Sequence, residues 1–494
     1  MRTFNTLYTN AELFKQWLDY NAVDLQAPNT LVQIFTSITD PLKLQQAAVE
    51  ITACLPRATL IGSTSSGEIL DGKMCDNVIL VSVTLFDDTR LIATSLSGSD
   101  SFTCGQEIAE AVVTDETRCV IMFADGLRHN GDELLKGFGS VAGPEIVVAG
   151  GMAADNFTFN GCYTVHGERV EQNTVVAVSL NNPSLHVFRN YNLSWSPVGR
   201  EMTVTRADGD RIYEIDGQPI NQVYAKYLGE AVIERMPDST IEFPLIFEEH
   251  GVHVARSMIS VFDDGSALYA GNIPEGTRVK FGIGSSQLID DSINDTYELA
   301  VQSPLESVFI YSCSARKAYL ETALEPEFMS MAQFAPQAGF FTYGEFYHGQ
   351  SGNDLMNITT TILGLSETAT PEKRETQPYS HHQGRRSLSF NALTNLVEVT
   401  TRELGEEVEE RRDNQALLEQ YKNAIDTMLI VSKTSPEGTI TYVNEHFCQI
   451  SGYRPDELLG RSHNVIRHPD TPKKVFKEMW NTITDKHVWQ GVIK

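Results

Sequence analysis

The stretch Ile61-Gly62-Ser63-Thr64-Ser65-Ser66-Gly67-Glu68-Ile69 follows an apolar strand-like run over 58–61 and gathers backbone amides, hydroxyls and one carboxylate in a short loop. Two further glycine-bearing stretches, 124–131 and 150–156, also follow apolar strand-like runs. In α/β folds the loops at the carboxyl ends of strands line the ligand crevice, so the three loops point to one pocket. Gly62 and Gly67 have the spacing of a phosphate-cradling loop, but Glu68 stands where that pattern needs lysine, and a carboxylate there repels a triphosphate. The nucleophile-elbow pattern fails as well, with Thr64 at its serine position and no glycine at 66. What remains is a loop suited to a zwitterion, its amides and hydroxyls taking a carboxylate while Glu68 pairs with an ammonium, or else a tight turn whose serines satisfy local backbone groups.

The chain has 494 residues, the length of three or four domains. Its 38 basic and 65 acidic residues give a net charge of −27, which argues against nucleic acid or an anionic membrane surface as the main partner. Seven cysteines stand singly without C-x-x-C spacing, the pattern of reduced thiols in a cytoplasmic protein rather than of a zinc site. The amino terminus has no apolar signal core, and no run is apolar and long enough to span a membrane.

Along the chain, Asp40-Pro41 opens a helix to about Ile51, with aspartate as cap and proline at its first position. Strands are predicted over 31–36, 78–85, 91–94, 119–123, 146–148 and 174–180, with helices over 106–113 and 132–138 between them, which is a mixed α/β domain. A second half begins near Ser194 with a hairpin signal over 206–211 and a turn at Asp216-Gly217, and it runs to the apolar stretch 357–363.

Five motifs in order, Ile61-Gly-Ser-Thr-Ser-Ser-Gly-Glu68, Ala124-Asp-Gly-Leu-Arg-His-Asn-Gly-Asp132, Gly150-Gly-Met-Ala-Ala-Asp-Asn156, Tyr213-Glu-Ile-Asp-Gly-Gln-Pro219 and Ala338-Gly-Phe-Phe-Thr-Tyr-Gly-Glu345, resemble the FIST family of bacterial sensory domains. The resemblance implies a FIST N domain over 1–193 and a FIST C domain over 194–365, binding a small ligand, with amino acids as the suggested class. The pocket candidates it implies are Gly62, Ser63, Ser65, Gly67, Glu68, Asp125, Gly126, Gly151, Phe340, Tyr343, Gly344 and Glu345. A second reading keeps the same pocket for a hydrolase or transferase with Asp125, His129 and Glu68 as acid and base, although neither a nucleophile beside a local base nor metal-ligand spacing appears.

Residues 366–386 are polar, hold two prolines and read as a solvated linker in which His381-His382 has no partner at ligand spacing. From 387 to 426 the pattern is a long helix: Phe390, Val397, Leu404, Arg411, Leu418 and Ile425 share one heptad column, and Leu393, Thr400, Glu407, Asn414, Tyr421 and Met428 the companion column. This is a signalling helix or a homodimeric coiled coil, with Gly405 as a soft point costing about 1 kcal/mol of helix propensity.

Residues 427–494, with a hairpin around Ser435-Pro-Glu-Gly438 and the stretch Ser462-His-Asn-Val-Ile-Arg-His-Pro-Asp-Thr-Pro472, resemble a PAS domain of the flavin-binding subgroup typified by the aerotaxis receptor. That resemblance implies FAD held by Asn444, Arg467, His468, Asp470 and Trp480, although Thr471 stands where methionine is common. The residues themselves also fit a structural account, with Asp470 capping a helix over 471–482, Pro472 in its first turn and the tryptophans in a core. The PAS sheet is expected to lack at least two strands, so the sequence reads as a fragment, or a truncated gene product, of a longer sensor. Its output would be a chemotaxis transducer, a histidine kinase or a diguanylate cyclase. The expected fold class is α/β and α+β multidomain: two mixed α/β domains, a connecting helix and a partial antiparallel PAS sheet.

Overall fold

A computed structural model describes residues 1–98, 100–284, 286–370, 376–378 and 387–494. His381-His382 lie outside the described residues. Met1–Thr401 form one compact unit and Arg402–Lys494 a second.

The strand-forming runs build three six-stranded sheets and one of eight strands in the first unit. The six-stranded sheets repeat a single plan. In each, a central parallel pair is formed by strands joined through helical segments: Thr30–Thr36 with Thr59–Thr64, Thr117–Ala124 with Val147–Met152, and Ser307–Cys313 with Gln337–Thr342. Each pair is flanked by antiparallel strands from the same stretch of chain. After the second strand of each pair the chain leaves its sheet and adds a hairpin to another. The hairpin of Glu68–Leu70 and Lys73–Cys75 joins Gln337–Thr342. That of Thr164–His166 and Arg169–Glu171 joins Thr59–Thr64, and that of Glu345–His348 and Asn353–Met356 joins Val147–Met152. The chain is thus a threefold internal repeat, over 2–85, 90–181 and 186–366, whose hairpins are exchanged in a ring. The eight-stranded sheet, built from 195–284, is inserted in the third repeat between His186–Leu193 and the helix Ser286–Val301.

Registry explains why the ring closes. Ile34 lies opposite Gly62, Met122 opposite Gly150 and Ile310 opposite Gly339. A Cβ on these glycines would stand 2.5, 2.0 and 2.0 Å from the carbonyl oxygens of those partners, so only glycine permits the approach. The next residue on each partner strand is aromatic, and Phe35, Phe123 and Tyr311 surround Phe340 with ring centroids 4.7, 5.5 and 5.6 Å from it. These four rings sit in one buried cluster fed by all three repeats. The other faces of the sheets pack on helices, with Ala11–Tyr20 and Pro41–Cys54 on the first, Ser101–Val112 and Gly131–Ala142 on the second and Glu325–Ala332 on the third.

The cap expected at Asp40 holds, and a further cap stands at Asn130. Asp40 accepts from Leu42 N with Pro41 following, and Asn130 accepts from Glu133 N. Three expectations need correction. The segment read as a solvated linker is anchored at its start, where the Glu367 carboxylate accepts from the backbone N–H groups of Asp87, Asp88 and Thr89 and pairs with the Met1 amino group. Further on, Gln377 N donates to Gln333 Oε1. In the second unit the helix after the Arg467–Pro472 stretch runs Lys473–Thr484 with Pro472 itself as N-cap and no side-chain cap bond, because Asp470 is turned to Lys494 Nζ at 2.7 Å. The expected division at 193/194 is crossed by hydrogen-bonded ladders, since the Glu68–Leu70 strand lies in the same sheet as Gln337–Thr342.

Gly339→Ala is expected to lower stability by about 1–3 kcal/mol or more through overpacking against Ile310 O. Gly139→Ala, inside the Gly131–Ala142 helix where a Cβ meets nothing within 4 Å, is expected to raise it by about 0.5–1 kcal/mol. Urea unfolding of the two variants measures the contrast, and equal effects would contradict the registry argument.

Candidate ligand site at the loop crossing

Where the three hairpins leave their sheets, their entry loops are hydrogen-bonded to one another in a ring. Ser66 N donates to Phe341 O, Ala154 N to Thr64 O, and Met152 N to Gly344 O, each at 2.8–3.0 Å. The first, third and fifth sequence motifs therefore do converge. The structure uses most of their residues to build the crossing. Gly126 and Gly151 are close-approach positions, their absent Cβ atoms 2.1 Å from Ala153 O and 2.6 Å from Gly344 O. Gly62 belongs to the strand registry, Ser63 Oγ is buried and donates to Thr64 O, and Phe340 is core.

The carboxylates lie beneath the crossing. Glu68 is fully buried and accepts from Ser65 Oγ at 2.5 Å and Ser37 Oγ at 3.1 Å. Burial pushes its pKa up to about 8 against the stabilising hydroxyls. The Glu68 carboxyl therefore has no surface from which to meet a ligand ammonium, and the cation that acts on it is the chain's own Lys317. Glu345 is also fully buried; one oxygen accepts from Thr359 Oγ1 at 2.6 Å, the other has no partner, and burial raises its pKa well above the carboxylate range. Asp125 accepts from Leu127 N and Asn173 N and so shapes its own turn. His129 is buried with Nε2 unpartnered, and burial lowers its pKa. The acid–base trio of the alternative reading is not assembled: the charged groups acting on Glu68 are Asp76 and Lys317, whereas the one acting on His129 is Asp125.

The surface of the crossing is made by residues that the motifs did not single out. Asn156, Phe157 and Phe159 all have positive φ, at 61°, 60° and 51°. For phenylalanine that is a backbone outlier, of the kind that concentrates at ligand sites. Asp155 holds the loop in this shape by accepting from Tyr343 Oη, Thr158 Oγ1 and the N–H groups of Phe159, Asn160 and Gly161. Burial opposes ionisation of Asp155, but these hydrogen bonds outweigh it and lower its pKa. The result is an exposed aromatic rim in which Phe157 and Phe159 pack on the half-buried Tyr343, with centroids 5.6 and 5.8 Å away. Beside it, Ser66 Oγ accepts from Asn156 N while Ser66 O accepts from Lys317 Nζ, which also pairs with the half-exposed Asp76. Gly67, at φ 125°, leaves room for that ammonium, since a Cβ would lie 2.3 Å from Nζ. The one sequence signal for this rim was the Phe157-Thr-Phe159 stretch directly after the third motif.

In the second unit, of the five residues expected at a flavin, Arg467, His468 and Asp470 stand on one short stretch, with His468 Nδ1 3.8 Å from Asp470 Oδ2. Asn444 accepts from Val431 N and Phe447 N and donates to Asp426 O and Leu429 O, which fills its carboxamide and leaves nothing for a cofactor. Arg467 donates to Thr471 O and stacks over Phe476, and His468 Nδ1 accepts from Asp470 N. Asp470 takes Lys494, and Trp480 packs at Gly438. Of the five, Asn444 is thus the one whose polar atoms are all spent on the chain itself.

Comparisons with known proteins agree with this division. The FIST N domain matches residues 30–218, the FIST C domain residues 221–348 and the PAS fold residues 440–494. The aerotaxis receptor of Escherichia coli is 42% identical over 69 residues, which is 14% of each chain. A nitrogen fixation regulatory protein of Klebsiella pneumoniae is 31% identical over 81 residues, 15% of this chain and 16% of that one. The chain thus spans only about a seventh of the length of these two relatives. An uncharacterised protein of Methanocaldococcus jannaschii is 22% identical over 505 residues, covering 91% of this chain and 93% of its own. Paired α/β sensory domains followed by a PAS region define a signalling sensor. The chain belongs to the FIST proteins, carrying FIST N and FIST C domains with a PAS domain after them.

Because Glu68 is raised, the folded state holds its proton up to about pH 8 while the unfolded chain releases it near 4.5. The stability contributed by the protonated, buried carboxyl is fully present below 4.5 and is lost as pH rises to 8. Glu68→Gln, which carries no charge in either state, is expected to flatten the fall of unfolding free energy with pH across that window. Denaturant titrations of both proteins at several pH values read the difference, and parallel curves would refute it.

Proposed function

We propose that the FIST pair binds a small zwitterionic metabolite, with amino acids as the class, at the rim of Phe157, Phe159 and Tyr343. In this reading Lys317 and Asp76 meet its carboxylate and ammonium. The buried motif residues Glu68, Asp125 and Glu345 then hold the crossing in shape from below. The observation that carries the reading is the conjunction of an exposed aromatic pair with strained backbone and an adjacent charge pair, placed where the family motifs converge.

The chain passes this state along the helix Ser387–Met428 to the PAS domain and on to an output module in a longer protein, of the chemotaxis, histidine kinase or cyclase kind. Support for the helix-to-PAS step is the way the PAS hairpin holds the end of that helix, with Asn444 on Asp426 O and Leu429 O and Tyr442 Oη on Asp426 Oδ2. The helix also presents Leu404, Leu418, Tyr421, Ile425 and Met428 exposed on its two heptad columns, a stripe suited to a second copy of the chain. Cytoplasmic residence fits a sensor of this kind, and among the described residues no helix is long and apolar enough to cross a membrane.

A panel of amino acids tested by thermal shift on the full chain is expected to give one class that stabilises it, by about 2.7 kcal/mol at a hundredfold excess over Kd, and to return that ligand chemically unchanged. Phe157→Ala and Phe159→Ala, both at exposed rings, are expected to abolish the shift without lowering the unliganded melting temperature. No stabilisation by any member, or turnover of the ligand, overturns the proposal. Separately, Leu418→Glu with Ile425→Glu is expected to convert a dimer to a monomer in sedimentation equilibrium; a wild-type monomer would rule out the coiled coil.

A further inference from the structure

Away from the loop crossing, the inserted eight-stranded sheet meets the exchanged hairpin of the third repeat. The Leu245–Glu249 and Val252–Arg256 strands turn at His250, whose φ is 43°, and Asn353–Met356 runs past that turn. Three side chains converge there. His250 Nδ1 and Asp354 Oδ1 are 2.6 Å apart, and one ligand atom each from Glu249, His250 and Asp354 lie within 4.8 Å of one another.

We propose that Glu249, His250 and Asp354 form a binding site for a divalent first-row transition metal ion, of the zinc, cobalt or manganese kind. One imidazole nitrogen with two carboxylates is a borderline donor set that suits these ions better than a purely oxygen-ligated cation such as calcium. Bonds of about 2.0–2.2 Å place ligand atoms roughly 3–4 Å apart, so loading needs a small opening of the 2.6 Å His250–Asp354 contact while the three atoms stay within their present 4.8 Å.

An independent observation points the same way. The second oxygen of Asp354, Oδ2, is buried and has no hydrogen-bond partner, in a side chain only 5% exposed. A desolvated carboxylate oxygen left unpaired costs free energy that a cation offsets. The neighbouring cation acts on Asp354 through its charge but makes no hydrogen bond to Oδ2: Arg256 donates to Asp132 Oδ1 at 3.0 Å, to Leu355 O at 2.8 Å and to Asn357 Oδ1 at 3.2 Å. Glycines shape the cover of the site. A Cβ on Gly349 would stand 3.2 Å from both Asp354 Oδ2 and His250 O, and Gln350 N donates to that same carbonyl at 3.2 Å. The His250 ring is partly exposed, which leaves an entry path and positions for water. No sequence spacing announces the group, because Asp354 lies 104 residues after His250. A bound ion would staple the inserted sheet to the three-repeat body.

The test uses the full chain and the metal alone. Cobalt titration is expected to give one equivalent with a ligand-field spectrum lacking thiolate charge transfer, displaced by zinc, and a rise in melting temperature on loading. His250→Asn, which suits the positive φ of the turn, and Asp354→Asn are each expected to weaken binding by more than about tenfold. X-ray absorption at the zinc edge of the wild-type chain provides a readout independent of variant folding, with a nitrogen and oxygen shell expected. Absence of stoichiometric binding, unchanged affinity in both variants or sulfur in the shell would each overturn the assignment.

Discussion

Everything in the first unit hangs on three places where one strand comes too close to its parallel neighbour for any side chain. Gly62, Gly150 and Gly339 admit the carbonyl oxygens of Ile34, Met122 and Ile310, and the residue after each of those carbonyls turns an aromatic ring into the common centre. That tight approach draws the three sheets around Phe340. Each hairpin, unable to continue in its own sheet, completes another. The repeats are consequently interdependent: each sheet is completed by a hairpin from a different stretch of chain.

This architecture explains why acidic residues occupy the motifs without standing on the surface. Glu68 and Glu345 open the exchanged hairpins and are carried under the crossing, where burial favours their neutral forms and hydroxyls from Ser65, Ser37 and Thr359 supply hydrogen bonds. Asp155 differs because the Tyr343 and Thr158 hydroxyls together with three backbone amides outweigh its burial and favour its ionised form, which bends the 156–161 loop outward. The second repeat thereby presents Phe157 and Phe159 at the surface. The same exchange brings Asp354 against the turn of the inserted sheet, so both candidate sites are consequences of one topological device.

Much of the local structure was readable residue by residue. Asp40-Pro41 capped its helix, and the strands at 31–36, 78–85 and 174–180 appear within a residue or two. Such features depend on neighbours within about four positions. The motifs marked where the loops meet, but their roles were misjudged: Glu68 looked like a ligand's partner because nothing in a linear stretch states depth. Asn444 looked like a cofactor contact, yet its carboxamide is spent on backbone between 426 and 447.

The amino-acid sequence alone determined which segments form strands and helices, that two α/β domains of the FIST kind precede a long helix and a PAS region, and which loops gather. Periodicity, caps and glycine spacing encode these properties locally. Tertiary structure alone decided the exchange of hairpins, the burial of Glu68 and Glu345, the exposure of Phe157 and Phe159, and the meeting of Glu249 and His250 with Asp354. Those outcomes depend on strand registry between residues hundreds of positions apart, such as Glu68 opposite Phe340. No period in the sequence records that pairing, because it arises only when the rings of all three repeats compete for one centre.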